Sequence, residues 1–165
     1  MRFAPAAAAL SLCLAMTASI SSAGAGSPAD PRAAALIAQG QALLDAGETQ
    51  GAIDAFEAAL AVEPGFTPIL VDLAAAARQQ GLQGKAIRYY REALTRDPGN
   101  FAAIAGEGAA LVEKGALEKA KRNLATLKSL CGDKCPETQS LQSSIARGAP
   151  ARLAVETAGE NPATN

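Results

Sequence analysis

Residues 47–66, GETQGAIDAFEAALAVEPGF, align without a gap on residues 81–100, GLQGKAIRYYREALTRDPGN. The pairs Gly47/Gly81, Ala52/Ala86, Ile53/Ile87, Phe56/Tyr90, Ala59/Ala93, Leu60/Leu94, Pro64/Pro98 and Gly65/Gly99 all recur at a spacing of 34. Carried backwards, the frame sets Leu36 over Leu70 and Gly40 over Ala74. Carried forwards, it meets Ile104, Gly108, Leu111, Gly115, Ala120 and Leu124. A repeat of this length marks a stack of supersecondary units, each too small to bury its own apolar face.

Each unit reads as a helix pair. First helices are expected over 31–45, 67–80 and 101–114, and second helices over 50–62, 84–96 and 116–130. Asp30, Thr67 and Asn100 are the expected N-caps, with Pro31 and Pro68 in the first turn, where a missing N–H costs nothing. Gly47, Gly81 and Gly115 fall where a left-handed C-cap is cheapest. Pro64 and Pro98 stop the second helices. Gly40, Ala74 and Gly108 are expected to face Ala52, Ala86 and Ala120 across each pair, with Phe56 and Tyr90 filling the space towards the next unit.

These positions resemble the tetratricopeptide repeat family, a 34-residue helix–turn–helix unit, over about residues 33–130. The resemblance implies an all-α, right-handed α-solenoid of about three repeats. In the third unit Leu124 replaces the aromatic residue, Leu127 the Ala, and Gly132 the Pro, as suits a terminal repeat with one neighbour. A capping helix is expected from Pro136 to Arg147, with Leu141 and Ile145 on one face, and a structureless tail over 148–165. In the family the first helices line a concave face that holds peptides. The matching residues here are Ile37, Gln41, Leu44 and Asp45, then Val71, Ala75, Arg78 and Gln79, then Ala105, Ala109, Val112 and Glu113. The Lys/Asn/Arg set with which some relatives clamp a terminal carboxylate is not among them.

Composition narrows the function. The 165 residues carry 15 Lys plus Arg against 16 Asp plus Glu, a balance that offers neither nucleic acid nor an anionic membrane a basic surface. The chain has no His, and so lacks the commonest general acid/base and metal ligand. Carboxylates at single positions, such as Asp54, Glu57, Asp72, Glu107 and Glu113, are expected on solvated helix faces. No Gly-rich phosphate loop is present, so no enzyme activity and no cofactor are expected.

Residues 1–25 read as a secretory signal peptide: Arg2, an apolar run from Ala6 to Ile20, then Ala23-Gly24-Ala25 as the cleavage site. The apolar run is too short to span a bilayer, and Leu12 before Cys13 does not fit a lipidation signal. The repeat and cap domain then occupies 26–147 of an exported, periplasmic or secreted protein. Its remaining cysteines, Cys131 and Cys135, are expected as one disulfide pinning the last repeat to the cap. The expected function is non-catalytic binding of an envelope protein or peptide in the concave face. The alternatives are a thiol-redox or copper-handling factor using Cys131 and Cys135, and a structural subunit that self-associates weakly by stacking repeat ends.

Overall fold

The computed structural model describes residues 28–159, with side chains described to 148. The expected leader, and the tail beyond 159, lie outside the described residues. Among the described residues there are seven helices and no strand: α1 (Pro31–Asp45), α2 (Thr49–Val62), α3 (Thr67–Gln79), α4 (Gln83–Arg96), α5 (Phe101–Glu113), α6 (Leu117–Cys131) and α7 (Pro136–Gly159). They form an all-α solenoid of three helix pairs followed by α7.

Helix ends follow local chemistry. The Asp30 carboxylate accepts from the Arg32 N–H, and the Asn100 side-chain carbonyl accepts from the Ala103 N–H, as capping requires. Thr67 is not a cap. Phe66 occupies that place without a side-chain hydrogen bond, and Thr67 is the first helical residue, ahead of Pro68. Gly47, Gly81 and Gly115 have φ of 80°, 77° and 79°, a conformation that a Cβ would strain. The last helix runs past its expected end at Arg147 to Gly159, so the segment expected as a tail from Gly148 begins as helix.

The contacts define the curvature. Consecutive first helices touch: α1 meets α3, α3 meets α5, and α5 meets α7. No such close backbone approach joins α2 to α4 or α4 to α6. The first helices therefore form the tighter inner layer and the second helices the splayed outer one.

The core is built largely from Ala, with a few large side chains between layers. Phe56, fully buried, packs with Ala52, Ile53, Ala59, Ile69, Leu73 and Ala76, and so joins the first unit to the second. Burying a side chain of that kind contributes roughly 1.5–3 kcal/mol. Tyr90 does the same between the second and third units, with Leu70, Ala74, Ala86, Ile87 and Leu111. Leu127, Ile104 and Leu141 form a third cluster that seals the last unit under α7. Gly40 and Gly108 leave room for large side chains: a Cβ at Gly40 would overlap the Phe56 ring, and one at Gly108 would overlap Leu141.

An ion pair ties the outer helix α4 to the inner helix α5. Arg91 Nε donates to Glu107 Oε1 at 2.7 Å, and Asn123 Nδ2 donates to Glu107 Oε2 at 3.0 Å and to the Ile104 carbonyl at 3.2 Å. Glu107 is buried, not solvated as expected, and it ties α4, α5 and α6 together.

Candidate functional site

The expected groove residues lie on the inner-layer helices α1, α3 and α5 and are unequally available. Gln41 and Asp45 on α1, Gln79 on α3 and Glu113 on α5 are exposed. Val71, Ala75 and Arg78 on α3 are half-buried. Ile37 and Leu44 lean on the cluster around Phe56, and Val71 on that around Tyr90. Ala109 is buried, Ala105 packs on the third cluster, and Val112 packs with the core. Its Cγ1 also fills the space a Cβ at Gly148 would need. The α5 end of the row is thus largely occupied by α7, and the open stretch centres on α3.

Around α3 the wall becomes polar. Arg78 reaches across to Glu113 on α5, Nη1 to Oε1 at 3.5 Å. Gln83 Nε2 approaches the other Glu113 oxygen at 3.5 Å, the far limit of a hydrogen bond. Both partners of the ion pair keep a third or more of their side-chain surface, so the pair fixes geometry more than it stabilises.

Asp72 is the residue that sequence reasoning misplaced. It is half-buried on α3 and accepts a hydrogen bond from Gln41 on α1. Burial pushes its carboxyl up to about 6, against which the Gln41 hydrogen bond works. No cation among the described residues forms an ion pair with it. The available signal was its place in the repeat, directly above Gly106 and below Ala38, where neither neighbour carries a charge.

Tyr90 reaches the same wall from behind. It belongs to α4 in the outer layer and is 3% exposed, and its ring passes α5 at Gly106, where a Cβ would overlap it. Burial raises the phenol's pKa; Arg78 opposes that shift, while Glu113 and Asp72 add to it, so the ring end lies in the field of those three groups. Its hydroxyl hydrogen-bonds to none of the described residues. No unpartnered side-chain polar atom among the described residues is sealed from solvent, so this hydroxyl opens outward.

The outer face offers less. Lys85 pairs with Glu57, Arg96 with Glu92, Lys121 with Glu118 and Lys128 with Asp133, so its basic residues are largely neutralised. Cys131, the last residue of α6, is joined to Cys135, which precedes α7. Glu137 lies beside them, and the two sulfurs and a carboxylate oxygen fall within 4.8 Å of one another. With the sulfurs bonded to each other, no thiolate is available there to hold a metal ion.

Comparison with known proteins agrees with this architecture. Residues 37–101 match the family model for the tetratricopeptide repeat. No curated protein matches the chain. Among solved structures, the Sgt2 TPR domain from Aspergillus fumigatus is similar at TM-score 0.68 and 22% identity, covering 83% of this chain and 89% of that one. The second TPR domain of human RPAP3, solved with the HSP70 peptide SGPTIEEVD, is similar at TM-score 0.62 and 20% identity, covering 70% and 95%. The Yersinia enterocolitica type III secretion chaperone SycD, solved with a peptide of the translocator YopD, is similar at TM-score 0.61 and 20% identity, covering 74% and 93%.

Proposed function

We propose that the chain, whose residues 37–101 match the tetratricopeptide repeat model, is a non-catalytic, exported interaction module that binds a peptide or helix of a partner in its concave face. The observation that carries the reading is the inner layer itself. Its first helices are contiguous, and on them Gln41, Gln79 and Glu113 are exposed and Val71, Ala75 and Arg78 half-buried. Backbone amides in these helices are already paired, so recognition falls to side chains laid against a ligand helix or strand. Structural neighbours solved with peptides of HSP70 and of a translocator support binding as the role of this fold. The leader-like residues 1–25 support export, and with it a partner in the cell envelope.

The apolar part of the wall is small. Val71 and Ala75 offer a few methyl groups, at about 25 cal/mol per Å² before association costs, which points to micromolar affinity. Capture of the native partner from envelope extract, followed by titration, tests the assignment. Val71→Glu should weaken binding about tenfold or more, while Lys121→Glu on the outer face should leave it within twofold. The opposite ranking would move the docking surface to the outer helices.

A further inference from the structure

We propose that the inner face between α3 and α5 takes a Lys or Arg side chain from the partner peptide, with the Asp72 carboxylate as counter-ion and the Tyr90 hydroxyl as hydrogen-bond acceptor. This rests on the concave face being the binding surface, and it fixes the chemistry of what binds there.

The charge balance of the wall points one way. Arg78 carries one positive charge and is matched by Glu113 at 3.5 Å, so that pair is neutral. Asp72 remains, and among the described residues its partner is the amide of Gln41. A half-buried carboxylate held by a neutral donor lacks the counter-charge that would offset its desolvation. An incoming ammonium or guanidinium supplies that charge. An acidic ligand would have to separate Arg78 from Glu113 and then stand beside Asp72.

Tyr90 is the second, independent observation. Its ring is enclosed between units, yet its hydroxyl has no hydrogen-bond partner among the described residues and lies in the field of Asp72, Glu113 and Arg78. Burial keeps the phenol protonated at neutral pH, so its oxygen lone pairs can accept from a cationic N–H while its own proton goes to a carboxylate. A Phe would fill the same inter-unit space without offering that oxygen, and Phe56 does so one unit earlier. A divalent metal is a poorer occupant, because one free carboxylate and one phenol supply too few oxygen ligands for a hard cation.

A random-peptide display library panned at pH 7.5 against the full chain, against Asp72→Asn and against Val71→Glu tests the proposal. Peptides enriched on the parent are expected to hold Lys or Arg at one position in an apolar context. In a synthesised hit, replacing that Lys by norleucine should weaken binding about tenfold, and Asp72→Asn should do the same. The two changes together should cost little more than either alone, since both remove one pairing. Tyr90→Phe, which keeps the ring, should cost about two- to fivefold. Enrichment of acidic or neutral peptides, or a Lys preference that survives Asp72→Asn, would overturn the cation assignment and leave the groove standing. If peptides bind Val71→Glu as well as the parent, or none is enriched, the groove reading falls too. Circular dichroism of each variant separates lost binding from lost fold.

Discussion

The Tyr90 ring lies where a side chain at Gly106 would begin, so an outer-layer residue reaches the inner face only because α5 has no Cβ at that point. In an exposed helix Gly→Ala would gain about 1 kcal/mol from propensity. Here the residue is 3% exposed and packed in the core cluster, so yielding to a new Cβ means displacing its neighbours. Gly106→Ala is therefore expected to destabilise by about 1–3 kcal/mol, as overpacking does, seen as a lower urea midpoint at unchanged slope. In a Tyr90→Leu background the same change should become neutral or stabilising. Equal effects in both backgrounds would show that the two residues do not compete for space.

Much of this was legible in the repeat. The 34-residue spacing placed Gly47, Gly81 and Gly115 at three helix ends, and all three hold positive φ there. It also placed Phe56 and Tyr90 between units, because a periodic apolar position reports a face that every copy of the unit must bury. What it could not report is a residue that departs from its copies. Asp72 stands between Ala38 and Gly106 in the frame, and its burial and hydrogen bond depend on packing around α3 and on Gln41 in another unit. Glu107 is buried for a similar reason, since its partners Arg91 and Asn123 come from two other helices. At Gly40 the spacing shows that room is needed but not which side chain takes it, which is the Phe56 ring.

Cys131 and Cys135 enclose a short turn with Gly132 at φ 85° and an ion pair between Lys128 and Asp133 at 3.0 Å. Closing so small a loop contributes about 2 kcal/mol in the chain-entropy model. Replacing both cysteines by Ser should lower Tm by about 5–10 °C in non-reducing buffer. Peptide binding should hold, because the bridge lies at the α6–α7 junction, away from α3. Loss of function at unchanged Tm would instead favour a redox role for the pair.

Asp72 sets a pH dependence whose direction differs between folding and binding. Its folded-state pKa is raised from 3.8 to about 6, so between those values the folded chain holds more of this proton than the unfolded chain does. The stability associated with the neutral acid is complete below the unfolded pKa and is lost as pH rises through about 6. Asp72→Asn should therefore match the parent near pH 4 and exceed it at pH 7, by about 1–2 kcal/mol once solvent screening of a partly exposed group is allowed for. The groups facing Asp72 do not reverse this: α1 presents the neutral Gln41, α4 the protonated Tyr90, and α5 Glu113, itself paired with Arg78 of α3. On α2, Asp54 and Glu57 are exposed, and Glu57 pairs with Lys85. Binding of a Lys-bearing peptide should run the other way, strengthening as Asp72 ionises between pH 5 and 7 and becoming flat in Asp72→Asn. Urea melts and peptide titrations on the two proteins across that range measure both slopes. A variant more stable at pH 7 yet weaker in binding would identify Asp72 as a charge retained for its ligand at the expense of the fold. A variant that is more stable and binds equally well would leave the carboxylate without that role.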